Sequence, residues 1–360
     1  MLVGLGTADA EPLHWHLSLE SGAEYDSNIH RFENSDGDCP SPPDLSDPDC
    51  LIGGALLLRG VARLAVRWRP GESQRIRISG LGGGKLYGPA DLDSSSDENV
   101  RIVSGDIRYQ RMLRSRGAIL AARASYYDTS PLGHASPVEP RHFATGGADM
   151  SLSVQGPDRH RLVLSGGYRQ YRLKISPSFD WRGDRYSLRY QTTEWLGDPN
   201  RDLDAASIEL AVSYAIARRY YGGSVERTDI YHSADAQLVY TGDRVYSARY
   251  QLHVIDSNGY GDSLIRQRIH LGITAELFAE LFLTVEANLQ FDRGSSTASD
   301  PMETIDDENR SSLTAHASKA LSDTWSVEVR YALFVNELRS VDPSYRRQII
   351  YAGMVYQLSR

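Results

Sequence analysis

The chain has 360 residues, 41% of them apolar, and its 39 Lys and Arg against 47 Asp and Glu leave a formal net charge of −8. No stretch approaches the roughly 18 consecutive apolar residues of a membrane-spanning helix, and mean hydropathy is −0.42, so a helical membrane protein is excluded. The acidic balance argues against a nucleic-acid partner. The length allows two ordinary domains or one large closed sheet. Tyrosine is unusually frequent, 21 against 7 Phe, which suits rings placed where water meets hydrocarbon. Lysine occurs only as Lys85, Lys174 and Lys319, so nearly all positive charge is arginine.

Near the start, Ala8-Asp9-Ala10 has the small-x-small pattern read by signal peptidase, although residues 1–7 are short for a signal peptide and lack its basic start. Residues 1–10 are read as a signal-peptide remnant or a disordered N-terminus, and 11–360 as one domain. Residues 14–25 alternate, with Trp15, Leu17, Leu19, Ala23 and Tyr25 on one face. Asp26, Ser27 and Asn28 then stop the strand. The acidic loop that follows holds Cys39 and Cys50, whose closeness in a Pro- and Asp-rich stretch points to a local disulfide in an oxidising compartment. Two free thiols are the alternative.

Residues 56–68 place Leu56, Leu58, Ala62, Leu64, Val66 and Trp68 on one face and Arg59, Arg63 and Arg67 on the other. Pro70-Gly71-Glu72 is a short turn into 74–84, where Gly80, Gly82, Gly83 and Gly84 suggest a bulge or bend. Strands follow at 103–109, 118–127, 148–154, 162–168 and 186–192, separated in turn by tight turns and longer loops. Residues 207–216 alternate cleanly, with Ile208, Leu210, Val212, Tyr214 and Ile216 on one side. Residues 233–254 form the clearest hairpin: two arms of strict period two about Gly242-Asp243. Each arm has about the 9–11 residues that a tilted strand needs to cross a bilayer. Later strands fall at 265–274, 283–291, 313–317, 325–333 and 350–358, and 275–283 is open between a helical turn and a strand turn.

This makes about sixteen strands whose connections alternate long and short. The expected fold is all-β, a closed antiparallel transmembrane β-barrel with long outer loops and short periplasmic turns. A propeller would repeat in fours, and a sandwich would not sort its loops by length so regularly. Aromatics support the assignment by their placement. Tyr25, Tyr126, Tyr168 and Phe291 lie at loop-side strand ends, and Trp68, Tyr109, Tyr240, Tyr246, Trp325 and Tyr356 at turn-side ends. Ordinary β propensity explains their number but not two rings. Gln267, on the apolar face, fits badly.

The last strand ends Met354-Val355-Tyr356-Gln357-Leu358-Ser359-Arg360 and resembles the C-terminal strand of bacterial outer-membrane barrels, with Arg360 in place of the usual final aromatic. Gly22-Ala23-Glu24-Tyr25-Asp26-Ser27-Asn28 is similar to the first strand of barrels linked to exopolysaccharide export or surface-lipoprotein display. It recurs in part as Ile255-Asp256-Ser257-Asn258, so strand-end chemistry is a sufficient alternative. The whole chain thus resembles a Gram-negative outer-membrane barrel of porin size. The resemblance implies residence in the outer membrane, contact with its lipid and lipopolysaccharide, insertion by the barrel-insertion machinery, and polysaccharide-export or envelope-complex proteins as partners.

The polar face carries the candidate pore lining: Arg59, Arg63, Arg67, Arg75, Arg77, Arg108, Arg123, Arg169, Arg189, Arg249, Arg266, Arg268, Glu209, Asp235, Glu286 and Glu328. Arg185, Arg330, Asp106 and Asp149 share the pattern. Opposed basic and acidic walls would set a field across a wet constriction and favour anionic solutes. Pairing among these charges, with little selectivity, is the bland alternative. The outer-loop acids Asp36, Asp38, Asp44, Asp47, Asp49, Asp300, Glu303, Asp306, Asp307 and Glu308 lack the spacing of a cation loop. Ser257-Asn258-Gly259 echoes an outer-membrane phospholipase motif, but Asp256 stands where a histidine is wanted. No catalytic set, metal site or cofactor motif is expected, and His14 and His16 read as wet rim residues. The expectation is a channel for passive diffusion or export of polar, anionic solutes or polysaccharide; the alternative is a non-conducting barrel that anchors an envelope assembly.

Overall fold

The computed structural model describes residues 11–27, 54–87, 99–113, 117–131, 142–156, 159–174, 180–196, 206–222, 227–258, 264–294, 311–337 and 344–359. They form sixteen strands: β1 (Glu11–Asp26), β2 (Ala55–Gly71), β3 (Gln74–Tyr87), β4 (Val100–Leu113), β5 (Ala118–Pro131), β6 (Phe143–Gln155), β7 (Arg161–Leu173), β8 (Trp181–Leu196), β9 (Ala206–Tyr221), β10 (Thr228–Thr241), β11 (Arg244–Ser257), β12 (Leu264–Phe278), β13 (Leu281–Gly294), β14 (Ser311–Ala320), β15 (Trp325–Glu337) and β16 (Ser344–Ser359). Each pairs antiparallel with its sequence neighbours, and β16 returns to β1 from His16↔Ser359 to Asp26↔Ile349. Closure leaves no sheet edge, as a hydrocarbon environment requires.

Side chains that reach over an intervening strand identify the concave face. Arg330 on β15 donates to Glu20 on β1, Lys85 on β3 to Glu24 on β1, and Arg189 on β8 to Gln237 on β10. Such contacts form where side chains converge, on the inside of a curved sheet. The inward set therefore includes Ser18, Glu20, Glu24 and Asp26, whereas Leu19, Ala23 and Tyr25 point out. Because period two relates successive residues, this orientation propagates through every ladder.

The ladders extend past the alternating segments. Strand β14 covers Ser311–Ala320 where alternation marks only 313–317, and β5 and β6 run to Pro131 and from Phe143. Apolar alternation is needed only where a strand meets lipid; backbone hydrogen bonds continue into the polar rim without it. Residues 275–283 resolve as strand, turn and strand, with Ala279 at φ 46° and Glu280 at φ 63°. Two consecutive left-handed residues match the right-handed twist of a two-residue hairpin.

The glycines of β3 do not mark a bulge. Its register runs without a break from Leu57↔Tyr87 to Trp68↔Ile76, and the irregularity lies nearer the turn, between Trp68 and Gly71. Gly80, Gly82 and Gly84 share the outward face, whereas Gly83 faces in beside Val61, where a Cβ would stand 2.6 Å from the Gly60 carbonyl oxygen. On the outer surface Tyr126 stands between Gly105 and Gly146, and Tyr186 lies against Gly166. Rings laid over neighbouring glycines restore contact that those positions lack. Gln267 is outward as read, and its amide oxygen accepts from the Tyr250 hydroxyl at 3.2 Å.

Candidate functional site

At the loop-side end of the lumen, acids are buried and matched by cations. Asp26 on β1 is fully buried and accepts at both carboxylate oxygens from Arg347 on β16, at 2.8 and 3.0 Å through Nε. Glu24 accepts from Lys85 and, at 3.3 Å, from Arg59. Glu20, with no exposed side-chain surface, meets Arg63 at 2.7 Å, Arg330 at 2.9 Å and Arg59 at 3.3 Å. The Arg59 and Arg330 guanidiniums also lie 5.5 and 5.0 Å from the centre of the buried Tyr351 ring. Across the ring Asp229 pairs with Arg227, and Asp292 with Arg266 through two hydrogen bonds of 3.0 and 3.1 Å. Removing one partner of such a buried pair costs about 3–5 kcal/mol, because it strands the other charge.

The turn-side half differs. Arg67 on β2 stands directly opposite Arg77 on β3, Arg77 opposite Arg108 on β4, and Arg108 opposite Arg123 on β5. Four guanidiniums thus share one cross-strand row, and Arg75 lies nearer the turn beside it. Like charges in directly opposed positions destabilise a sheet by roughly 0.2–1 kcal/mol per pair. Arg123 is held by Asp106. No carboxylate among the described residues pairs with Arg67, Arg75, Arg77 or Arg108, and all four are exposed within the lumen. Two members of the row, Arg77 and Arg123, line a cavity of about 630 Å³ together with Arg63, Arg169, Asp106 and His16.

The remaining lining residues also lie on inward positions. Arg249 pairs with Asp235, Arg268 donates to Gln290 at 2.6 Å, and Glu328 meets Arg330 and, at 3.4 Å, His316. Arg189 reaches Gln237 at 3.2 Å. Glu209 stands between Thr193 and Val239, and Glu286 between Gly272 and Thr314. Sequence reasoning missed Glu20, Glu24, Asp26, Lys85, Asp229 and Arg347. The first three sit opposite Leu19, Ala23 and Tyr25 in the alternation of β1, so their inward aspect was available; their partners were not.

Inward aromatics also went unread, because residues 128–146 and 169–185 looked like loops. Tyr127, Phe143, Tyr171 and Trp181 form a row with ring centres 5.5, 5.2 and 6.0 Å apart, tilted at the first contact and stacked at the other two, and Arg219 lies over both Trp181 and Tyr231. Their faces are occupied by one another and, at Trp181, by Arg219. Ser257 faces in and Asp256 out, while the Asn258 side chain accepts from the Thr228 backbone N–H at 2.6 Å, a strand-end contact. Cys39, Cys50 and the acidic runs of the outer loops lie outside the described residues.

The outer surface completes the assignment. Leu64 on β2, Leu164, Leu188, Leu210 and Leu238 on β7 to β10, and Leu271 on β12 are exposed on outward positions. Tyr25, Tyr126, Tyr168 and Phe291 border them at the loop side, and Trp68, Tyr246 and Trp325 at the turn side. An apolar band between aromatic girdles, around a charged interior, is a surface made for lipid. The molecule is an outer-membrane β-barrel.

No family model matches the chain, and no curated protein matches it. Among solved structures the barrel is similar to OmpF of Salmonella typhi in complex with daunomycin, at 10% identity and TM-score 0.49, covering 95% of this chain and 97% of that one. It is similar to a loop L8 deletion mutant of OmpT, an outer membrane protein of Vibrio cholerae, at 8% identity and TM-score 0.47, covering 96% and 99%. A bacterial polysaccharide outer membrane secretin is 11% identical at TM-score 0.42, covering 95% and 98%.

Proposed function

We propose that this barrel is a channel through which polar anionic solutes pass, with its selectivity carried by the row Arg67, Arg77, Arg108 and Arg123. The observation behind this reading is that the row places like charges in directly opposed positions, with three of the four lacking a carboxylate partner among the described residues. A purely structural lining would gain stability by losing them. Exposed guanidiniums without carboxylate partners on one wall give that side of the passage a positive potential that draws anions to it. The other inward charges, from Arg59 round to Glu328, line the same passage and are mostly paired. The reading requires no cofactor. Partners that accompany it are lipopolysaccharide and lipid around the girdle, the barrel-insertion machinery during assembly, and envelope proteins at the loops.

The test is conductance of the refolded full-length chain in planar bilayers under a KCl gradient. Reproducible steps with a reversal potential on the chloride side support the channel, and combined Arg67→Gln, Arg77→Gln and Arg108→Gln should move that potential toward zero. Silence, or cation preference, overturns it. A second reading, a non-conducting anchor, has its own support: Leu57, Val61, Tyr351 and Val355 are buried on inward positions, so one side of the lumen is filled. Silence in the bilayer would favour that reading.

A further inference from the structure

We propose that the arginine row is a capture site, at the periplasmic mouth of the lumen, for a linear polyanion whose charges repeat at roughly the spacing of adjacent strands. This rests on the lumen being a passage for anions, and adds the form of the solute and the end at which it binds.

The spacing argument comes from register. Arg67, Arg77, Arg108 and Arg123 occupy directly opposed positions on β2, β3, β4 and β5, so the row advances about 4.8 Å per strand. Planar guanidiniums bind carboxylate or phosphate through paired N–H donors in a defined orientation. A monoanion engages one or two neighbours and leaves the other like-charge contacts in place. A chain with one charge per repeat relieves them together. After its first contact each later one is intramolecular, so affinity climbs with length until the row is covered.

Position supplies the direction. Arg67 lies near the end of β2 at Gly71, Arg77 near the start of β3 at Gln74, and Arg108 near the end of β4 at Leu113. Short turns of outer-membrane barrels face the periplasm. Around β1, and at Asp229 and Asp292, the loop-side half holds cations against acids, whereas Arg169 on β7 and Arg185 on β8 face in there without a carboxylate partner among the described residues. A polyanion entering from the periplasmic side therefore meets the row first, with a charge-matched wall beyond it along β1 and β16 and the Arg169 and Arg185 guanidiniums on the wall of β7 and β8.

The experiment titrates the refolded full-length chain by calorimetry with galacturonate oligomers of one to six rings, and separately with inorganic polyphosphate. Affinity for galacturonates should rise on the order of tenfold or more from one ring to four, then level off. Arg67→Gln with Arg77→Gln should abolish that rise, and Arg293→Gln, on the lipid side, should leave it intact. Length-dependent binding of the galacturonates through the row supports the proposal; a steeper length dependence for polyphosphate, whose charges repeat at a shorter distance than the strands, overturns the spacing. Affinity independent of length, a rise that survives the double substitution, or binding of neither polymer overturns it. In planar bilayers, block by the bound polymer should need less of it on the turn side; equal potency from both sides overturns the assigned direction. Row-dependent binding by a chain silent in bilayers would remove the transport reading alone, and anion conductance without length dependence would remove the capture site alone.

Discussion

Asp26 is fully buried where β1 meets β16, with the Arg347 guanidinium donating to both its carboxylate oxygens. Arg108, on the same inward face, has guanidiniums on either side and no carboxylate partner among the described residues. Their substitutions should move stability in opposite directions. Asp26→Asn leaves Arg347 buried against a neutral group and should lower unfolding stability by about 3–5 kcal/mol. That would show as an earlier urea midpoint for the refolded barrel in micelles. Arg108→Gln removes two like-charge contacts and should move the midpoint later, by the equivalent of roughly 0.4–2 kcal/mol. Gly353 illustrates a steric constraint. The Tyr351 ring lies over Gly22 and Gly353, where an added Cβ has no room. Gly353→Ala should displace that ring from between Arg59 and Arg330 and destabilise the seam, read as a lower melting temperature than for Gly82→Ala, whose Cβ would meet open space.

At the scale of the element, the turns show how much irregularity a closed ladder tolerates. The β12–β13 turn puts Ala279 and Glu280 in left-handed conformation, which costs an L-residue roughly 1–2 kcal/mol. The Glu276 carboxylate accepts from the Glu280 N–H at 3.3 Å and offsets part of that. Ala279→Asn with Glu280→Gly, the pair that such turns favour, should stabilise the barrel by about 1 kcal/mol, measurable as a later urea midpoint with an unchanged slope. Strand ends follow a similar logic. The Asn258 side chain and backbone both bond to Thr228, which accounts for Asn at that strand end without any catalytic role.

For the whole molecule, neighbouring residues on one strand meet different solvents. Ala315 points outward, and Thr314 inward, opposite Glu286. Ala315→Arg should cost about 2–4 kcal/mol, the penalty for arginine at the midplane of a barrel's lipid face, and should cut the yield refolded into vesicles. Thr314→Arg adds a cation beside a carboxylate in a wet lumen and should refold as the parent does. Equal losses at both positions would contradict the inside-out arrangement.

Local pattern was enough for much of this. Period two assigned Leu238 and Tyr250 to one face and Gln237 and Arg249 to the other, because the pleat alternates whatever the strand pairs with. Loop lengths gave sixteen strands and their up-and-down order, since antiparallel neighbours need only a short connection. The same reasoning stopped at 275–283, where apolar spacing is ambiguous, and at residues 143 and 181, where rim strands no longer need apolar side chains.

The amino-acid sequence alone therefore determined that the chain is all-β, which side of each strand is greasy, and where the rings of aromatics lie. These are properties of a strand and its immediate neighbours. Only the tertiary structure decided that Glu20 is met by Arg330, 310 positions away, and that four arginines fall into one row. Both depend on relative register and on ring closure, which bring together side chains whose separation along the chain carries no information about their contact.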